Sequence, residues 1–319
     1  MKAFSYLMRD ILEPFFAFLV LPGALLLKLY RNTGSSRFPL TTKMLKKLGI
    51  FVIRDHYYEP MFVYESDFKN LKRPDTDAFG FNLESQKDFL KNLDFSSELK
   101  ELAFLEEPEC STDFYMPNNS FESGDAEFLY SFVRYQKPNK IIEIGSGHSS
   151  KLVSKALEIN AIESGKFSEH ILVEPYPKGW LEQMVRARLI CSKIEDIDLD
   201  WSSELKRGDF LFIDSSHMIR PGGDVLTEYL KILPKLASGV IVHIHDIFTP
   251  RDYLPRWREN DVLFWNEQYL VEAILANSNR YSVLAGLNYL KHECFSDLQA
   301  ICPYLDESRE PGSLYIVVN

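Results

Sequence analysis

From Lys140 onward, short apolar runs alternate with amphipathic stretches of about 10 to 16 residues, the pattern of helices covering a parallel sheet. The alternation predicts strands at Lys140–Gly145, His170–Glu174, Arg188–Cys191, Asp209–Ile213 and Gly239–Ile244, with helices clearest after the first, second and fourth. A helical stretch near Phe264–Asn277 follows, then two more strand-like runs, Tyr281–Asn288 and Gly312–Val318, separated by a polar segment rich in turn residues. The fold class expected is therefore α/β: a Rossmann-like sheet of seven strands whose last strand inserts antiparallel beside the sixth. A dehydrogenase sheet would normally continue with parallel units. Before about residue 125 there are helical stretches, turn clusters and acidic loops, with no strand–helix alternation. The expected division is an apolar leader at 1–30, a mainly helical extension or lid at 31–125, and the sheet domain at 126–319.

The leader changes the picture most. Between Glu13 and Lys28 runs PFFAFLVLPGALLL, 14 residues without a charge. It is interrupted by Pro22-Gly23 and is shorter than an ordinary spanning helix. A secretory signal fits poorly, because Asp10 and Glu13 spoil the basic leader and no A-x-A site follows. From Lys28 to Arg54 there are seven Lys or Arg and no Asp or Glu, a stretch suited to anionic lipid headgroups. Two readings stand: peripheral membrane contact through residues 1–54, or a hairpin of amphipathic helices buried against the rest of the protein or a second subunit.

Composition excludes some functions. Over 319 residues, 45% hydrophobic and 13% aromatic content supports a full globular core, and the net charge of −10 argues against general nucleic-acid binding. The four cysteines, Cys110, Cys191, Cys294 and Cys302, lack zinc-site or disulfide spacing, which fits a reducing cytoplasm.

The first candidate site is Ile141-Ile142-Glu143-Ile144-Gly145-Ser146-Gly147-His148-Ser149-Ser150, where an apolar strand enters a glycine turn and then a helix. Glycine permits close backbone approach. Ser149 and Ser150 are placed to cap the helix, whose first amides offer donors to a ligand carboxylate. The E-x-G-x-G pattern resembles motif I of the class I S-adenosylmethionine-dependent methyltransferases. The resemblance implies that Gly145, Ser146, Gly147 and Ser149 frame the methionine end, with Glu143 near the ammonium group. The next strand ends at Glu174, 27 residues beyond Gly147, suited to both ribose hydroxyls. An NAD site uses the same device, but the third fingerprint glycine is replaced by Ser150. In the loop flanking adenine in this fold, Ile194 is placed to pack on the ring and Glu195 or Asp196 to accept from its amino group.

The second candidate site lies where the fourth and fifth strands end, in Phe212-Ile213-Asp214-Ser215-Ser216-His217 and His243-Ile244-His245-Asp246-Ile247-Phe248. Ligands bind at such carboxyl ends in open α/β sheets, and these polar groups are costly to bury without partners. Together, EIGSGHSS at 143–150, EPYP at 174–177, FIDSSHMIRPGGD at 212–224 and HIHDIFTPRDY at 243–253 resemble the bacterial class I methyltransferases often called methyltransferase family 24. RDHYYEP at 54–60 and FWNEQYL at 264–270 extend the likeness over most of the chain.

The resemblance implies S-adenosylmethionine as cofactor, bound also through Asp214, and O-methylation of a sugar or other small hydroxyl acceptor, free or lipid-linked, in a polysaccharide or metabolite pathway. It places the enzyme in the cytoplasm or at the inner face of the membrane. Related metal-dependent O-methyltransferases imply a magnesium site at Asp214, His245 and Asp246. His245 departs from magnesium's preference for oxygen, leaving a softer metal or none. Without a metal, His217 or His245 is the candidate general base, beside Asp246. Arg251-Asp252-Tyr253 and Trp257 are expected to cover the acceptor, and Pro221-Gly222-Gly223-Asp224 to start a helix. An NAD-dependent oxidoreductase and a noncatalytic membrane-associated scaffold are the competing classes.

Overall fold

The computed structural model describes residues 2–54, 77–102, 104, 108, 110–184, 186–259, 261 and 263–319. Two compact units are present, Met1–Lys69 and Asn70–Asn319.

The larger unit is built on seven strands: β1 Lys140–Ile144, β2 Glu169–Val173, β3 Ala187–Ile190, β4 Phe210–Ile213, β5 Ile241–Ile244, β6 Tyr281–Gly286 and β7 Leu314–Val318. They are ordered β3-β2-β1-β4-β5-β7-β6. The first five are parallel, and β7 runs antiparallel to both β5 and β6. This is the sheet expected from the apolar runs. The central strands are apolar on both faces because both faces are covered. Ile141, Phe210, Phe212, Ile241 and Tyr315 pack on one side, whereas Ile142, Ile144, Leu211, Ile213, Val242 and Ile244 pack on the other.

The helices in chain order are α1 Lys2–Thr33, α2 Pro39–Lys47, α3 Leu83–Leu90, α4 Ser96–Leu102, α5 Asp125–Gln136, α6 His148–Ser164, α7 Trp201–Glu204, α8 Asp224–Thr227, α9 Pro255–Glu259, α10 Glu267–Ala276, α11 Leu287–Glu293 and α12 Phe295–Ile301. Among the described residues the helix expected after β2 is absent: Pro175, Pro177 and Gly179 break the segment, leaving one 3₁₀ turn, Leu181–Gln183. The helix expected from Asp224 relaxes into a π turn at Glu228–Ile232 and a 3₁₀ turn at Leu233–Lys235. The expected sixth strand gives way to α11 at Leu287. The described parts of 81–102 and 110–121, grouped with the extension in the sequence reading, share the core of the sheet. Leu90, Leu93, Leu99 and Phe121 are buried there, and Gln86 Oε1 accepts from Gly286 N at 2.8 Å. Their short helices carry too few apolar positions to betray this.

In the smaller unit, Pro14 and Pro22 lie inside a continuous α1, so Pro22-Gly23 does not interrupt it as the sequence suggested. Its segment Leu12–Thr33 is long and apolar enough to cross a membrane by length and composition, with mean hydropathy 1.8. A chain turn follows and α2 packs back on the end of α1, where Tyr30 Oη and Thr42 Oγ1 are 2.7 Å apart and Arg31 Nε donates to Val52 O at 3.0 Å.

Candidate functional site

At the carboxyl end of β1 the glycine loop meets β4. Gly145 adopts φ +83°, and a Cβ there would stand 1.7 Å from the Asp214 carbonyl oxygen. Only glycine fits. Gly145 therefore closes the β1–β4 junction, where Gly145 N donates to Val173 O at 3.0 Å and Asp214 N to Ile144 O at 2.8 Å. Gly147 is different: nothing lies within 4 Å of its hypothetical Cβ, and it forms the N-cap of α6 without a side-chain bond. The capping expected of Ser149 and Ser150 is replaced by another contact. Both hydroxyls donate to Glu143 Oε2, at 3.2 and 2.8 Å, while His170 Nε2 lies 2.5 Å from Glu143 Oε1. Glu143 is wholly buried behind the loop, and its carboxylate anchors the first turn of α6.

A cavity of about 330 Å³ opens beside the loop, lined by Gly145, Glu174, Ile194, Glu195 and Asp214 among the expected residues. Glu143, Ser146, Gly147, Ser149 and Asp196 do not line it. Ser146 Oγ is nevertheless buried without a hydrogen-bond partner among the described residues, the kind of group a ligand satisfies. Glu174 uses one oxygen to accept from Tyr176 N at 2.8 Å. Ile194 is buried in the core beneath the cavity and starts a 3₁₀ turn that carries Glu195. Sequence reasoning missed Tyr176, Lys193, Ser215, Ser216, Arg220 and Asp224 on the cavity wall. Asp224 begins α8 as expected, but it also holds the wall, accepting from Ser216 N at 3.0 Å and Ser216 Oγ at 2.7 Å and pairing with Arg220 at 3.3 Å.

Asp214 belongs to this cavity and to a second cluster. His217 Nε2 lies 3.3 Å from Asp214 Oδ1 and 3.4 Å from Asp246 Oδ2, while its Nδ1 lies 2.9 Å from Glu267 Oε2. His245 Nδ1 lies 3.3 Å from Asp214 Oδ1 and 3.6 Å from Asp246 Oδ1, and its Nε2 is 3.8 Å from Asp125 Oδ2. Burial disfavours charge on both rings, but the surrounding carboxylates win and hold both imidazoles protonated well above their usual range. Asp214 is drawn far down, despite burial, by His245 and His217. Asp246 moves the other way, pushed up chiefly by burial. His217 and Asp246 adopt φ 57° and 59°, costly for non-glycine residues and typical of over-determined functional positions.

The surrounding acids thus favour the protonated form of both rings that the sequence offers as bases. Glu267, which the sequence did not single out, closes the lock on His217 from the Nδ1 side: it is fully buried and also accepts from Tyr229 Oη at 2.7 Å. The His217 carbonyl accepts from Asn266 N and Glu267 N at 3.0 and 3.2 Å. Asp214, His217 and Asp246 each offer one ligand atom, all within 4.8 Å of one another, so the compact donor set includes His217, where the resemblance implied His245. Trp265 lies 4.4 Å from the His217 ring and Trp257 4.8 Å from Trp265, with Phe248 and Tyr253 behind. Tyr253 is buried and accepts from Gln268 N at 3.0 Å, which fixes it against this wall. Asp55 to Pro60 of the RDHYYEP run lie outside the described residues.

Residues 142–247 match the family described as a methyltransferase domain. An uncharacterized protein of Archaeoglobus fulgidus is 31% identical over 173 residues, covering 50% of this chain and 76% of the relative. Among solved structures, an O-methyltransferase from Bacillus cereus in complex with SAH is 13% identical at TM-score 0.39, covering 75% of this chain and 92% of its own. A putative methyltransferase from Thermobifida fusca is 11% identical at TM-score 0.39, with coverages of 77% and 98%.

Proposed function

Starting from a chain that belongs to the class I S-adenosylmethionine-dependent methyltransferases, we propose that it methylates a hydroxyl oxygen of a sugar or similar small acceptor, free or carried on a lipid. The observation that carries this reading is the double membership of Asp214, in the cavity beside the glycine loop and in the His217–His245–Asp246 cluster. A cofactor cavity and a proton-handling cluster are thereby adjacent.

The cavity suits S-adenosylmethionine by its lining, and next to it in the glycine loop the orphaned Ser146 Oγ and the open space at Gly147 would suit the methionine end. When bound, the cofactor supplies an electrophilic methyl group. Glu174 would hold the ribose hydroxyls with its remaining oxygen, Ile194 would pack against adenine, and Glu195 would accept from the adenine amino group. Asp214 would lie at the boundary between cofactor and acceptor. The Trp257–Trp265 wall beside His217 offers an aromatic surface to a sugar ring.

Neither imidazolium has a free lone pair for an acceptor proton. Asp246, the carboxylate raised toward neutrality by burial, is the better acceptor, through Oδ2 where it faces His217 Nε2. His217 then keeps the proton it holds and orients that carboxylate. With its Nε2 proton lost, His217 would instead complete with Asp214 and Asp246 a donor set for a divalent cation of mixed nitrogen and oxygen preference, Glu267 retaining the other imidazole nitrogen as metal sites commonly arrange. Such an ion would acidify the acceptor hydroxyl. Metal analysis, chelation and the turnover of Asp246→Asn and His245→Ala test the assignment. A fall in turnover of at least about a hundredfold with unchanged S-adenosylhomocysteine affinity is expected; near-normal turnover of both variants would show that the cluster is structural. Loss of activity on chelation, restored by added ion, would select the metal form.

A further inference from the structure

We infer that α1 crosses a lipid bilayer as a single span, with α2 lying on the anionic headgroups of the cytoplasmic leaflet and the methyltransferase domain on that side. This goes beyond methyl transfer and rests on the smaller unit alone. Leu12–Thr33 has 22 residues, about 33 Å at 1.5 Å per residue, against a hydrocarbon core of about 30 Å. None of its apolar window is buried. Phe15, Phe16, Phe18, Leu19, Val20, Leu21, Leu25 and Leu26 are all exposed, at 46% to 72%, and at 100° per residue they point around the whole circumference. A helix apolar on every side matches lipid. A second copy would cover one seam and leave the rest in water.

The charges agree. Glu13, Lys28 and Arg31 sit at the ends of the segment, where long side chains reach the interface. Seven cations and no acid follow between Lys28 and Arg54, the asymmetry that keeps a flank cytoplasmic. Along α2 and its cap, Leu40, Met44 and Leu48 form an exposed stripe at 83%, 54% and 65%, with Lys43 and Lys47 beside it and Leu45 buried behind. An apolar stripe edged by lysines is the design of a helix in the plane of a headgroup layer. The same lysines would repel a second copy.

Full-length protein, fractionated from cells and washed with alkaline carbonate, should remain in the membrane pellet. Phe18→Arg with Leu21→Arg should move it to the soluble fraction. Lys43→Glu with Lys46→Glu and Lys47→Glu should leave it in the pellet but reduce its preference for phosphatidylglycerol-containing over pure phosphatidylcholine vesicles by at least about tenfold. S-adenosylhomocysteine calorimetry on each variant verifies that the larger unit is folded, and failure of wild-type binding would count against the methyltransferase reading alone. Wild-type protein released by carbonate, or a discrete soluble oligomer, would overturn the span. Unchanged vesicle preference in the triple variant would overturn the placement of α2.

Discussion

Replacing each glycine of the loop by alanine should separate scaffold from site. At Gly145, φ of +83° costs an alanine about 1–2 kcal/mol. Its Cβ would also stand 1.7 Å from backbone oxygen, so β1 and β4 must part. Overpacking of this kind costs about 1–3 kcal/mol and the Asp214 N to Ile144 O bond about 1 kcal/mol more. The sum, about 3–6 kcal/mol, is a large share of the roughly 5–15 kcal/mol that holds a domain together. Tm should therefore fall by about 6–24 °C at about 2–4 °C per kcal/mol. At Gly147 the added methyl meets no atom, so stability should change by less than about 1 kcal/mol, while S-adenosylhomocysteine affinity falls at least tenfold if a ligand approaches that backbone. Differential scanning fluorimetry and calorimetry read the two effects. An unchanged Tm for Gly145→Ala, or full affinity in a stable Gly147→Ala, would refute the division.

Glu174→Ala removes a charge-assisted acceptor worth about 1.5–3 kcal/mol, so S-adenosylhomocysteine should bind roughly tenfold to a hundredfold more weakly at unchanged Tm; full affinity would remove Glu174 from the site. His148 is half-buried, and burial, with Lys151 and Lys178 nearby, pushes its pKa down to about 4. The neutral ring is favoured by folding, so its contribution is present above the usual value near 6.5 and is lost as pH falls toward 4. Imidazole NMR should give a midpoint near 4, and a midpoint at 6.5 would contradict the environment described. Glu267→Leu leaves His217 Nδ1 and Tyr229 Oη without their shared acceptor and should cost about 3–5 kcal/mol in urea denaturation; a loss under 1 kcal/mol would show that Glu267 is not the lock.

The sheet was legible because each central strand is buried on both faces and so reads as an unbroken apolar run, Ile141-Ile142 or Phe210-Leu211-Phe212-Ile213. The glycine turn, Glu174 and Asp214 were legible because strand ends fix their place at one edge of the sheet. What the sequence could not give is direction and partnership. Glu143 alternates onto the α6 face of β1 and is taken by Ser149, Ser150 and His170, which spacing alone does not reveal. Glu267 reaches His217 across 50 residues, a tertiary pairing with no local signal. Pro22 looked like a helix break because intrinsic propensity penalises it, yet an isolated proline is compatible with a long apolar helix.

The most direct test is titration calorimetry of the full-length protein with S-adenosylhomocysteine and, separately, with NAD. A methyltransferase built on the cavity of Gly145, Glu174, Ile194 and Asp214 should bind S-adenosylhomocysteine at one site per chain, lose most of that affinity in Glu174→Ala, and give no binding heat with NAD. Saturable NAD binding without S-adenosylhomocysteine binding in folded protein would contradict it.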